Sequence, residues 1–181
     1  MTIAVIVHVI GTVLGVGGVT VNDLMLLRAI GDGDLGVAYQ KSVSWYSGII
    51  WIGLILLIGS AVSMALSNDW VLHSSKVLIK IILVGILTTN GLLMNLFLTP
   101  RLQQLRRADW EKKTDRLQTV LLQGVFPGAL SLASWYTTLI LGAAGKQPWT
   151  IEQMSLGFLA FFLLMWAAAY LIVRQRLTHS T

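Results

Sequence analysis

The sequence predicts an all-α fold, an integral membrane bundle of five transmembrane helices that forms one domain over residues 1–181. Hydrophobic residues make up 55% of the chain and charged residues only 12%, with a mean hydropathy of +0.75. A soluble domain carries about 25% charged residues. The apolar residues also form runs of about 20 or more, which is the length that crosses the hydrocarbon core as a helix. These runs lie at about 3–27, 43–67, 75–99, 117–144 and 152–173.

Each run is expected to be helical because every backbone N–H and C=O must be paired inside a single span. The short alternating pattern of a membrane barrel is absent. The first run begins "MTIAVIV" without basic residues, so we expect a retained span and not a cleaved signal. The chain has no cysteine, which excludes thiol catalysis, iron–sulfur clusters and covalent haem attachment. Soluble catalytic motifs are also missing.

The basic residues predict the orientation of the chain. Ten of the thirteen lie on one side of the spans, and the opposite loops hold only Lys146. Positive loops stay in the cytoplasm, so we expect the N-terminus outside and the C-terminus inside. The net charge of +5 then reflects topology and anionic lipid, with no nucleic-acid partner. The ten residues are Arg28, Lys41, Arg101, Arg106, Arg107, Lys112, Lys113, Arg116, Arg174 and Arg176.

The first span carries polar and small residues on one helical stripe. Its sequence "HVIGTVLGVGGVTVND" places His8, Gly11, Gly15, Gly18 and Asn22 at spacings of three and four. The glycines form either a small-xxx-small packing seam, which would also serve a homo-oligomer, or a surface that admits a porphyrin face. Imidazole is a standard haem ligand. A histidine above the glycines therefore favours haem binding through His8, Gly11 and Gly15.

The third span carries His73, Lys76 and Lys80 in its outer third, again at spacings of three and four. Lys76 is expected to extend to the outer headgroups, and His73 is an interfacial histidine that could join His8 as a metal ligand. Lys80 lies too deep to reach the headgroups easily and needs an anion, for which a haem propionate is suitable.

A second polar cluster is expected near the inner face. Asn22 and Asp23 on the first span lie at the same depth as Asn90 and Asn95 on the third. Ionisable residues inside a membrane are costly and are usually functional. We therefore predict one hydrogen-bonded site from these four residues, which we name the inner polar cluster.

The fourth span contains Pro127 and the outer-half pair Trp135 and Tyr136. Pro127 is expected to kink the helix and to free a carbonyl group. Trp135 and Tyr136 either stack on a cofactor or belong to the aromatic belt of the interface.

Two stretches resemble a known family. "VHVIGTVLGVGGVTVNDLMLLRA" and "WVLHSSKVLIKIILVGILTTNG" are similar to the first and third helices of the small bacterial membrane protoporphyrinogen oxidases and the related copper-resistance D-like membrane proteins. The resemblance implies a b-type haem with His8 as a ligand and Lys80 as the functional lysine of the third helix. The chain departs from the family at Asn90, where the family has histidine, and in a longer His-to-Lys spacing.

Three functions remain open from the sequence. The first is a haem b protein with a redox, electron-transfer or haem-sensing role near the outer face, whose partner would be a redox protein or a quinone. The second is a copper or small-solute permease with His8 and His73 at its outer mouth. The third is a structural membrane subunit whose polar residues join helices.

Overall fold

The computed structural model describes residues 2–67, 74–145 and 148–178. Within these ranges the chain is helical, and five helices are long and apolar enough to cross a membrane, which confirms the predicted fold class. The helices are α1 (Thr2–Gly31), α2 (Gly33–Leu66), α3 (Ser75–Leu93), which continues through a π-helical turn (Met94–Leu98) into α4 (Thr99–Gln103), then α5 (Arg107–Lys112), α6 (Asp115–Ala143) and α7 (Ile151–Thr178).

Helices α1 and α2 form a closely packed hairpin. The Asp32 carboxylate caps α2 by accepting hydrogen bonds from the backbone N–H groups of Asp34 at 2.9 Å and Leu35 at 3.3 Å. The second helix therefore begins at Gly33, ten residues before the predicted start of the apolar run at 43. The predicted span started too late because hydropathy detects the apolar run and does not detect the polar helical turns that precede it.

The third span ends in an irregular turn. At its end the backbone N–H of Thr99 bonds to the carbonyl of Met94, five residues earlier. Pro100 follows directly and has no N–H to offer to the Leu96 carbonyl in an α-helical register. The wider turn rotates the side chains around it relative to a regular helix. Turns of this kind occur often at functional sites.

The Arg-rich loop is folded against the bundle through α5. Trp110 is only 2% exposed and lies over Gly36, where a Cβ would meet the indole ring. The Asp109 carboxylate caps α5 by accepting from the N–H of Arg106 at 2.7 Å, and it also accepts from the Thr114 hydroxyl at 2.8 Å. The loop is therefore a packed connector and not only a solvated one.

Helix α6 crosses the middle of the bundle and contacts α1, α3 and α7. It runs unbroken through Pro127, whose carbonyl accepts a 2.8 Å hydrogen bond from the Asn90 amide. Helix α7 packs on α6 through edge-to-face contacts of Phe126 with Phe162 and Trp166. The largest buried cluster lies at the Arg-rich end of the bundle and includes Ile30, Trp110, Leu117 and Leu121.

Candidate functional site

A cavity of about 110 Å³ lies inside the bundle between α1, α2, the π-helical turn and α6. A space of this size holds several water molecules, since one water needs about 10–15 Å³ measured in this way. Its walls are mostly apolar, and its polar groups come from α1, α2, the π-helical turn, α4 and α6. We call it the central cavity; its polar lining residues are Asn22, Asp23, Tyr39, Ser47, Asn95, Thr99 and Ser131.

Asp23 is the only carboxylic acid among the lining residues. Its Oδ1 accepts a 3.2 Å hydrogen bond from the Asn22 amide, and the Asn22 carbonyl oxygen accepts a 3.1 Å bond from the Tyr39 hydroxyl. The Tyr39 ring stacks on Tyr46 with centroids 6.5 Å apart. Asn22 therefore joins the carboxyl group on α1 to a phenol on α2.

A second polar pair, Ser47 and Asn95, joins α2 to the π-helical turn at the central cavity. Asn95 lies in the π-helical turn, and its Oδ1 accepts a 2.8 Å hydrogen bond from the Ser47 hydroxyl. An extra residue in a helical turn rotates the following side chains by about 100° relative to a regular helix. The π-helical turn therefore decides which side chains of the third span face this cavity.

Three of the four residues of the inner polar cluster lie at one cavity. Asn22, Asp23 and Asn95 line the same cavity, but Asn90 donates to the Pro127 carbonyl and lines a separate groove between α3 and α6. The hydrogen bonds of the four residues are separate: Asn22 bonds to Asp23, Asn95 to Ser47, and Asn90 to the Pro127 carbonyl. The sequence interpretation also missed Tyr39 and Ser47: Tyr39 precedes the predicted span, and Ser47 resembles an ordinary small helix residue.

His8 finds its partner on the neighbouring helix. Its Nδ1 lies 3.1 Å from the Ser60 hydroxyl, and that hydroxyl donates at 2.6 Å to the Leu56 carbonyl. Because Ser60 is then donating to the backbone, it accepts from an Nδ1–H tautomer of His8. A hydroxyl group of the protein is thus a hydrogen-bond partner for one of the two ring nitrogens of His8.

The glycine stripe beneath His8 is closed by protein. A Cβ at Gly11 would lie 2.8 Å from the carbonyl oxygen of Gly53 on α2, and a Cβ at Gly15 would collide with the Trp135 indole. The stripe is a packing seam within the chain, so a porphyrin does not fit on Gly11 and Gly15 in this arrangement. The same contacts cover Gly11 and Gly15 within the chain, so these two glycines are not exposed to a second copy.

Trp135 and Tyr136 occupy the middle of the bundle. Trp135 is 1% exposed, lines the central cavity, and has an indole N–H without a hydrogen-bond partner among the described residues. The Tyr136 hydroxyl lies 3.1 Å from the Thr20 hydroxyl on α1. Both residues therefore contact other parts of the bundle, Trp135 at the central cavity and Tyr136 at α1.

The two lysines of the third span have different surroundings. Lys76 donates to the Gly145 carbonyl at 2.5 Å and so ties α3 to the loop that follows α6. Lys80 is half-buried, points toward Gly142, and lies close enough to His8 to interact electrostatically. His73 falls outside the described residues, so the His8–His73 metal pair remains a prediction. No group of three or more potential metal ligands occurs in the described ranges.

Comparisons with known protein families, curated proteins and solved structures found no match to this chain.

Proposed function

We propose that this chain is a proton-linked permease for a small polar solute, which binds in the central cavity beside Asp23. The observation that carries the proposal is a carboxylic acid placed at a cavity between membrane-spanning helices. Ionisable residues in such positions are costly to keep and mark substrate, ion or proton pathways.

The polar groups of the cavity define the class of solute. Asp23 offers carboxyl oxygens, and Asn95 and Ser47 offer an amide and a hydroxyl. The remaining surface is formed by side chains such as Leu54 and Leu87. The site is therefore suited to a small molecule with hydrogen-bond donors, either neutral or cationic, and it disfavours anions.

The hydrogen bonds of Asp23 also support the proton linkage. Its carboxyl group has one hydrogen bond from Asn22 and no cationic partner among the described residues. A carboxylate in a membrane without a counter-cation favours uptake of a proton or a cationic ligand. Asp23 can therefore exchange a proton for the solute without rearranging an ion pair.

Proteoliposomes loaded with a pH-sensitive dye test the proposal. Wild-type protein should move protons when one class of a panel of small amines, neutral polyols or metal cations is added. Asp23→Asn should abolish this flux, and Asp34→Asn should retain it, because Asp34 is exposed and pairs with Arg107 outside the cavity. Absence of flux with every class, or equal flux in Asp23→Asn, would count against the permease.

Haem b binding is the second candidate, supported by the proximity of His8 and Lys80 in the outer half of the chain. Since the glycine stripe is closed, the ring would have to approach His8 from another side. A Soret band in detergent-purified protein, lost in His8→Ala and kept in His179→Ala, would support it. A colourless protein that gives no spectral shift with added haem would exclude it, and with it the redox partner or quinone.

We place the protein in a bacterial inner membrane with the Arg-rich side in the cytoplasm. The placement rests on the positive-inside rule and on the position of α5, which holds the basic loop against one end of the bundle.

A further inference from the structure

A second cavity lies on the outside of the bundle, between α3 and α6. It is an open groove of about 810 Å³ whose walls are mostly apolar. Gly85 lies toward one end of the groove, and Arg101 and Gln123 lie at the other. We call it the α3–α6 groove; its other lining residues are Ile82, Ile86, Thr89, Asn90, Leu93, Met94, Phe97, Leu98, Phe126, Pro127 and Leu130.

The groove ends in a polar recess on the Arg-rich side of the protein. Arg101 borders both spaces, and its Nη1 donates a 2.9 Å hydrogen bond to the Gln123 side chain. Arg116 is exposed on the other side of the recess. The recess has a volume of about 350 Å³ and is also lined by Gln104, Asp115, Thr119, Val120 and Gln123.

We propose that the α3–α6 groove binds an anionic phospholipid, with an acyl chain along the groove and the phosphate group between Arg101 and Arg116. The inference is independent of transport through the central cavity, because it rests on a different surface. It concerns one bound lipid at a defined place and not the general attraction of a basic protein to the membrane.

The dimensions of the groove fit an acyl chain. Gly85 and Arg101 are 16 residues apart, which corresponds to about 24 Å along a helix. One leaflet of the hydrocarbon core is about 15 Å thick. The groove is therefore longer than one leaflet, so a chain whose headgroup lies at Arg101 stays within apolar walls over its full depth.

The charges of the recess favour an anionic headgroup. It contains two guanidinium groups and one carboxylate, that of Asp115. Neither arginine forms an ion pair in the described part of the chain, where both ion pairs involve Arg107. Basic pockets between transmembrane helices at the cytoplasmic side are established sites for anionic lipid headgroups. A zwitterionic phosphatidylcholine would gain less because its choline group meets the same arginines.

Gly85 lies in the wall of the groove, so a larger side chain at this position can be used to fill the groove. A Cβ at Gly85 would have no heavy atom of the protein within 4 Å, so a larger side chain enters the groove without displacing another residue. Gly59 on α2 is equally open and lines neither the groove nor the recess. The pair Gly85→Leu and Gly59→Leu therefore separates occupation of the groove from the general effect of leucine in a membrane helix.

The experiment is native mass spectrometry of protein released from bilayers of equal phosphatidylglycerol and phosphatidylcholine. Wild type should retain one phosphatidylglycerol in preference to phosphatidylcholine. Retention should fall roughly fivefold for each arginine removed in Arg101→Gln and Arg116→Gln. Arg174→Gln removes an exposed charge of α7 outside the recess and should retain the lipid. Gly85→Leu should lose it, and Gly59→Leu should not.

Thermal unfolding of every variant in detergent shows whether the fold is preserved. The two arginine variants and Gly85→Leu change different parts of the site, and each should reduce the retention of phosphatidylglycerol. Equal retention of phosphatidylglycerol in Arg101→Gln, Arg116→Gln and Gly85→Leu would overturn the proposal. Equal retention of both lipids by wild type would also overturn it. Release of the bound species by inorganic phosphate alone would do the same, because it would indicate a site for an ion and not for a lipid.

Discussion

The Ser47 hydroxyl donates a 2.8 Å hydrogen bond to Asn95 Oδ1 and so ties α2 to the π-helical turn of the third span. The two residues are 48 positions apart, and the bond crosses the wall of the central cavity. It joins the irregular turn to a regular helix at the depth where the polar site is formed. The geometry of the π-helical turn, and not only its sequence, therefore determines where the polar groups of the cavity lie.

This hydrogen bond should be measurable as a coupling between the two residues. Interhelical hydrogen bonds in membranes average about 0.6 kcal/mol and reach about 1.7 kcal/mol. We expect a coupling free energy in this range from a double-mutant cycle of Ser47→Ala and Asn95→Ala, measured by reversible unfolding in mixed micelles. As a matched control, the cycle of Ser47→Ala with Asn90→Ala should give a value near zero, because Asn90 donates to Pro127.

The cap of α5 should lose strength in acid. The Arg106 backbone N–H and the Thr114 hydroxyl hold the pKa of Asp109 below its ordinary value. A lowered pKa in the folded state means that the stabilisation is complete above the unfolded pKa of about 3.9 and is lost as the pH falls through the folded value. Amide exchange of residues 106–113, corrected for the intrinsic rate, should therefore stay slow near neutral pH and quicken below about pH 3.9.

Asp109→Ala should show the fast exchange already at neutral pH. Asp115→Ala is the control, since it removes a nearby exposed acid that caps nothing. Slow exchange in Asp109→Ala at neutral pH would mean that the burial of Trp110, and not the cap, holds the loop.

The spans could be predicted from the sequence because burial in lipid requires long apolar runs. The start of α2 could not, since the residues from Gly33 to Ser42 are held in a helix by the Asp32 cap and by contacts outside the apolar run. Tyr39 was missed for this reason. The depth of the polar residues could also be predicted from the sequence, because the rise per residue of a helix is constant. Asn22, Asp23 and Asn95 were expected at one level for this reason, and all three line the central cavity.

The sequence did not show toward which neighbouring helix each side chain points. Asn90 and Asn95 are five residues apart, and their directions depend on where the π-helical turn begins. The glycines of α1 allowed two interpretations, a helix-packing seam and a porphyrin surface, because glycine permits close approach of either a neighbouring helix or a cofactor. The partner, Gly53, lies on another helix, and a pairing of that kind is decided by tertiary packing.

The orientation predicted from charge can be tested with single cysteines, because the chain has none of its own. Gln104→Cys lies in the Arg-rich loop and Ser67→Cys at the opposite end of α2, and both positions are exposed. In intact cells an impermeant maleimide should label Ser67→Cys, and Gln104→Cys should react only after the membrane is opened. The reverse pattern would place the central cavity near the outer face.

The glycine seam predicts opposite outcomes for two substitutions of the same kind. A Cβ at Gly53 would lie 2.7 Å from the backbone nitrogen of Gly15 and 2.8 Å from the carbonyl oxygen of Gly11. Backbone atoms on the facing helix cannot rotate away, so Gly53→Ala must separate α1 from α2. Overpacking of this kind costs about 1–3 kcal/mol, and we expect a lower midpoint in thermal unfolding of the detergent-solubilised protein.

Gly17→Ala is the matched control. It lies on the same helix as Gly15, but a Cβ there meets nothing within 4 Å, so alanine should be neutral or should stabilise the helix by up to about 1 kcal/mol. If the two variants unfold alike, the close approach of α1 and α2 is not what holds the hairpin. In that case the stripe would again be free to accept a cofactor, and the Soret measurement on wild-type protein would decide between the two interpretations.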